Sequence, residues 1–127
     1  RGKTIAVLGV TFKPNTDDMR EAPSLVIVPM LHERGATLRV YDPQGRKQAE
    51  PLLEGVTWCE DSLDAANGAD ILLVLTEWNE FRALDLQEAR SRMSGDMLVD
   101  LRNIFNPSQA SAAGLRYISV GRPGSED

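Results

Sequence analysis

Cysteine and histidine are almost absent from these 127 residues: there is one of each, Cys59 and His32. A lone cysteine cannot close an internal disulfide, and without a Cys/His cluster no metal-ligand spacing exists, so no metal is expected. A reducing, cytoplasmic setting follows. No apolar run approaches the ~18 residues that would suggest a transmembrane helix. No signal peptide is visible, because residues 1–4 run straight into a strand. A first residue of Arg rather than Met suggests a fragment or a processed chain. Basic runs are missing too. With 14 Lys and Arg against 19 Asp and Glu, net charge −5, the chain is a poor partner for nucleic acid. An anionic ligand would need a few basic residues placed locally, against the overall sign.

Hydrophobic residues make up 42% and charged residues 26%, ordinary proportions for one soluble domain with one real core. There is no internal repeat, low-complexity segment or linker. Only residues 121–127, rich in Gly, Pro, Ser and acids, read as a frayed tail.

The remainder alternates strand and helix. Apolar, β-branched runs predict strands over residues 3–8, 37–41, 56–58, 71–75, 97–100 and 115–119. Helical patterns fall between them. One opens at Pro23–Ser24 and runs to about Arg34, with Leu25, Val28, Met30 and Leu31 as its apolar face and Pro29 inside it. Others span 44–53, 62–67 with Ser62 as cap, 79–81, 85–93 and 107–113. Residues 71–75 (ILLVL) form the most apolar strand and belong at the sheet centre. Strands separated by helices imply right-handed crossovers, hence a Rossmann-like α/β three-layer sandwich with a mainly parallel six-stranded sheet.

Such folds bind ligands outside the carboxyl ends of the strands, where the strand order reverses. That rule selects Gly9, Phe12, Lys13 and the loop to Arg20 after strand 1. It selects Thr76, Glu77 and Trp78 after strand 4, and Asp100, Arg102 and Asn103 after strand 5. Lys13 and Arg102 could converge on one anion, the Arg as a planar fork and the Lys as a point charge. Pairing with surface carboxylates explains both residues equally well. The first turn, Gly9-Val10-Thr11-Phe12-Lys13-Pro14, is not a full G-x-G-x-x-G, so the sheet is not an ordinary dinucleotide site. Asp42 stands where such folds place a ribose-binding acid, but an Asp-Pro turn accounts for it better. Asp17, Asp18 and Glu21 read as loop-holding acids near the following helix. Cys59 reads as a structural, half-buried thiol, His32 as a surface residue, and Trp78 and Phe81 as packing. No acid/base pair, triad or metal set emerges, so there is no catalytic candidate.

The loop Gly9-Val10-Thr11-Phe12-Lys13-Pro14-Asn15-Thr16-Asp17-Asp18-Met19-Arg20-Glu21-Ala22-Pro23-Ser24 closely resembles the signature of the C-terminal domain of the UDP-glucose/GDP-mannose dehydrogenase family. Tyr41-Asp42-Pro43, Thr76-Glu77-Trp78-Asn79-Glu80-Phe81 and Val99-Asp100-Leu101-Arg102-Asn103 agree in order. The resemblance covers residues 2–122, leaving 123–127 as a disordered tail. It implies a nucleotide-sugar-binding domain of an enzyme that oxidises a sugar C6 alcohol twice, to a carboxylate, with two NAD. It also implies that NAD sits mainly on a separate N-terminal domain, that a central helical region dimerises, and that the catalytic cysteine precedes this domain. By resemblance Phe12 and Lys13 bind the sugar nucleotide, Arg102 contacts the same substrate, and Arg20 reaches over to NAD. Cys59 matches no family motif, so the nucleophile is not carried onto it, and the chain alone is expected to turn nothing over. The motif combination looks most like members that convert UDP-glucose to UDP-glucuronate. GDP-mannose and UDP-N-acetylhexosamine members are sister readings.

Two readings from other classes stand beside this one. A phospho-receiver-like signalling domain would need an acceptor Asp after strand 3, for which Asp61 is a loose candidate, and a Lys after strand 5, where Arg102 stands instead. A non-catalytic interaction module would use an apolar docking face.

Overall fold

The computed structural model describes residues 3–10, 24–43, 46–51, 53, 55–76, 81, 83–101 and 104–119. Six strands are present: β1 (Thr4–Leu8), β2 (Thr37–Tyr41), β3 (Thr57–Trp58), β4 (Ile71–Val74), β5 (Met97–Asp100) and β6 (Arg116–Ser119). The helices are α1 (Ser24–Glu33), α2 (Arg46–Ala49), α3 (Ser62–Ala66), α4 (Leu86–Arg92) and α5 (Pro107–Ala112). All strand pairs are parallel, in the order β3-β2-β1-β4-β5-β6. The chain therefore winds outward twice from the middle, and the order reverses between β1 and β4. The apolar run at 71–74 sits in this central pair, as its composition predicts.

Strand alternation sorts the core into two layers. Ala6, Leu8, Leu72, Val74, Leu98 and Tyr117 face Ala65, Ala66, Leu86, Ala89 and Ala110, carried by α3, α4 and α5. Ile5, Val7, Leu38, Val40, Leu73 and Leu75 face Val28 of α1 and Ala49 of α2. Successive residues of a strand point to opposite sides, so an unbroken apolar run feeds both layers at once. Alanines on α3, α4 and α5 let those helices lie close to the sheet. Phe81, fully buried, meets Tyr41 edge-on at 6.2 Å, and this supports the packing reading of that ring.

Four local expectations are corrected. Met30, expected on the same apolar face as Val28, is 43% exposed where Val28 is 1% exposed. Two residues along a helix is about 200° of rotation, so Met30 points away from the face that Val28 buries. Ile27 and Leu31 pack against the core beside Val28. The cap of α3 is Asp61, not Ser62: its carboxylate accepts the Asp64 amide at 2.7 Å. Cys59 is 5% exposed, fully rather than half buried. The helix expected over 44–53 is observed at Arg46–Ala49, with residues 44, 45, 52 and 54 outside the described part.

Candidate functional site

The carboxyl ends of the central strands are knotted together by buried polar groups. Asp42, Thr76 and Asp100 are 5%, 0% and 0% exposed, and they terminate or follow β2, β4 and β5. Burying a carboxylate is costly unless it is hydrogen-bonded, so each must have partners. Asp42 Oδ2 accepts the Val10 amide at 2.8 Å, and the Gly9 amide donates to the Tyr41 carbonyl at 2.8 Å. The first residues after β1 are thus tied to the end of β2. Gly9 has φ +91°, and a Cβ there would lie 2.6 Å from Thr76 Cβ. Only glycine allows the exit of β1 to pass this close to β4.

A second knot closes the turn after β5. Leu101 continues the ladder by donating to the Val74 carbonyl at 3.1 Å. Asp100 Oδ2 accepts the Phe105 amide at 2.9 Å and lies 2.8 Å from the Tyr117 hydroxyl, which is also 2.7 Å from the Phe105 carbonyl oxygen. The single hydroxyl proton is shared between these two acceptors. Asn106 follows as the cap of α5, with a capping box to Gln109.

Sequence-predicted Phe12, Lys13, Arg20 and Arg102 lie outside the described residues, as do Asp17, Asp18, Glu21, Glu77, Trp78 and Asn103. The structure does place the strand ends from which their loops depart. Leu8 aligns with Val74, and Val74 with Asp100, so β1 and β5 end level on either side of β4. At ~4.8 Å per strand, the two exits are separated by about 10 Å.

Of the other candidates, Asp42 serves as an amide acceptor and not merely as a turn residue. Asp61 is occupied in capping α3, which removes the specific support for the phospho-receiver reading. His32 is exposed, and its ring fills the space a side chain at Gly55 would need. Cys59 Sγ lies 3.7 Å from the Thr57 carbonyl oxygen. Burial pushes its thiol above the usual range; Arg39 opposes the shift and Asp64 adds to it. A buried, protonated thiol is a poor nucleophile. Tyr117 is the residue that sequence reasoning missed. It pairs with Leu98, two residues from the Asp100–Ser119 pair and so on the same face, which places its hydroxyl diagonally across from the carboxylate; that register is not written in the local sequence.

Two concavities lie apart from the strand-end knots. An open cleft of about 370 Å³ runs between the starts of α3 and α4, but the Asp61 and Asp85 carboxylates beside it already accept amides of their own helices. A cavity of about 120 Å³ sits at the amino ends of the strands, beside Lys3, Asp70, Asp96 and Arg116, opposite the end where this fold binds ligands. Among the described residues there is no group of three or more His, Cys, Asp or Glu side chains able to hold a metal. Among them, too, no helix is long and apolar enough to cross a membrane.

A doubly wound parallel sheet, with buried polar knots at the carboxyl ends that flank its reversal point, defines a nucleotide-binding type of α/β domain. Residues 6–107 match the family model described as UDP-glucose/GDP-mannose dehydrogenase family, UDP binding domain, and the chain belongs to that family. It is 50% identical over 123 residues to a UDP-glucose 6-dehydrogenase of Rhizobium meliloti, covering 97% of this chain and 28% of that protein. It is 40% identical over 124 residues to UDP-glucose 6-dehydrogenase TuaD of Bacillus subtilis, covering 97% and 27%. A solved UDP-glucose dehydrogenase from Pyrobaculum islandicum superposes with TM-score 0.76 at 33% identity, covering 93% of this chain and 25% of that one. The chain thus spans little more than a quarter of the length of the curated relatives it matches.

Proposed function

We propose that this domain holds the nucleotide end of UDP-glucose in an NAD-dependent UDP-glucose 6-dehydrogenase, which works in the cytoplasm as a dimer or larger assembly. The observation that carries the reading is the level ending of β1 and β5 on either side of β4. The loops bearing Lys13 and Arg102 leave from those two ends, beside the reversal of strand order where such sheets bind ligands. A diphosphate held between the two exits would meet one cation from each side. Lys13 supplies a point charge and Arg102 a two-pronged donor, with Phe12 against the sugar nucleotide. The chain's net negative charge makes this local pair necessary for an anionic ligand.

The first turn does not suit NAD. A dinucleotide's pyrophosphate would lie against bare backbone at a helix start just after β1. Here the Val10 amide is taken by Asp42, and Val10 is fully buried. NAD is therefore assigned to the rest of the enzyme, which also supplies the cysteine for the two oxidations, with Arg20 as this domain's contact to it. The residues of this chain bind and orient the substrate.

Titration of the ¹⁵N-labelled chain with UDP-glucose tests the reading, with GDP-mannose and NAD as comparisons. Shifts should cluster at Phe12, Lys13 and Arg102 and be strongest for the uridine ligand. Charge-assisted hydrogen bonds contribute roughly 1.5–3 kcal/mol, so Lys13→Ala and Arg102→Ala should each weaken binding by about 10- to 100-fold. Binding unchanged in both variants would remove the assignment.

A further inference from the structure

Asn67-Gly68 is the only Asn-Gly pair in the chain, and it stands in the turn that joins α3 to β4. Both residues are exposed, and Gly68 has φ +72°. Asn-Gly pairs suit turns because both residues tolerate backbone angles that others avoid. The same pair is chemically labile. The glycine amide nitrogen, unhindered by a side chain, can attack the asparagine Cγ. The bond from that nitrogen to Cγ forms, the Cγ–Nδ2 bond breaks, and the side-chain nitrogen leaves as ammonia with the amide proton. Water then opens the resulting cyclic imide at either carbonyl, to aspartate or to isoaspartate. The reaction needs no oxidant and no cofactor.

The folded turn holds the reacting atoms apart. Asn67 has ψ 118°, which turns the Gly68 nitrogen away from Cβ, whereas ring closure must bring the two into eclipse. The Gly68 amide donates to the Arg92 carbonyl at 2.8 Å, at the end of α4, where carbonyls lack helical partners. One residue on, the Ala69 carbonyl accepts the Ser94 and Gly95 amides at 2.9 and 3.1 Å. The Asn67 side-chain oxygen lies 3.5 Å from an Arg92 guanidinium nitrogen. The turn after α3 is thus laced to the turn after α4. With seven residues, α4 is short enough for its end to open separately from the sheet.

We propose that Asn67-Gly68 is a site of spontaneous deamidation gated by α4: the reaction proceeds when the end of α4 lets go of the Gly68 amide. The two products differ in consequence. Aspartate at position 67 sets a carboxylate beside the Arg92 guanidinium and leaves the backbone unchanged. Isoaspartate adds a methylene to the main chain just before Ala69, which is fully buried and whose amide donates to the Ala66 carbonyl at 3.0 Å. The isoaspartyl chain is therefore the less stable product.

The test ages the chain in mildly alkaline buffer, both folded and unfolded in guanidinium chloride. Peptide mass spectrometry and an isoaspartyl methyltransferase assay then count aspartate and isoaspartate at position 67. In the unfolded chain Asn67 should react before every other asparagine, and Gly68→Ala should suppress the reaction. A Cβ at Gly68 meets nothing within 4 Å, so that variant folds against its φ alone. The folded chain should react at least about tenfold more slowly than the unfolded one. Asp85→Ala removes the cap of α4 and should speed the folded reaction by about fivefold, the effect of one lost cap on local opening. Asn106→Ala removes the cap of α5 at similar cost and should leave the folded rate nearly unchanged. Neither variant should alter the rate in denaturant. Equal acceleration by the two cap variants would mean that the whole fold, not α4, must open, and would overturn the proposal. So would equal rates in the folded and unfolded chains, or no product at position 67 in the unfolded one.

Discussion

Gly9 shows how one residue's lack of a side chain shapes the binding end of the sheet. Its φ of +91° is strained for any L side chain, and a methyl group there would overlap buried Thr76. Gly9→Ala should cost at least about 1–3 kcal/mol, read as a lowered urea midpoint; an unchanged midpoint would mean that Thr76 can retreat. The sequence marks Gly9 as a strand stop, but Thr76, the neighbour that requires glycine, lies far away along the chain. Cys59 makes a second point at this scale. Its thiol titrates above the usual range because burial disfavours the thiolate. A group whose folded value is raised contributes full stability below its unfolded value, about 8.5 for a thiol, and loses it as pH rises beyond that. The chain should therefore unfold at lower urea at pH 10 than at pH 7, and Cys59→Ala should show a smaller alkaline loss. Parallel pH profiles for the two proteins would refute the linkage.

At the scale of elements, short helices depend on their ends. The helices α3, α4 and α5 have 5, 7 and 6 residues, too few to be stable alone. Each has a side-chain cap: Asp61 to the Asp64 amide, Asp85 to the Gln87 and Glu88 amides, and Asn106 to the Gln109 amide. Asn106→Ala should cost about 1 kcal/mol in chemical denaturation, and Asn106→Asp should retain most of that. Equal losses in the two variants would show that the cap is not what Asn106 supplies. Elements were legible to different degrees. Strands announced by apolar, β-branched runs appear close to their expected bounds, because burial on both faces demands such runs. The cap of α3 lies one residue before its expected place because Asp61 and Ser62 are both good cap residues, and only the backbone conformation selects between them. Met30 falls off the expected apolar face because Pro29 and Met30 interrupt the face that Ile27, Val28 and Leu31 define.

At the scale of the whole molecule, the reversal of strand order between β1 and β4 brings strand ends far apart in sequence to one crevice. Net charge −5 opposes an anion, so a site for one needs cations placed locally. The sequence by itself determined the α/β alternation, the apolar centre of the sheet, the departure of the first turn from a dinucleotide fingerprint, and the family through its motifs. Those properties follow from local composition and spacing, which are written along the chain. Tertiary structure alone decided that Asp42 accepts the Val10 amide, that Gly9 must yield to Thr76, and that the Tyr117 hydroxyl meets Asp100 and the Phe105 carbonyl. These contacts join residues that share no local pattern, and they exist only once parallel pairing has set β1, β2, β4, β5 and β6 in register, because desolvated carboxylates and amides must then find partners across the strand ends.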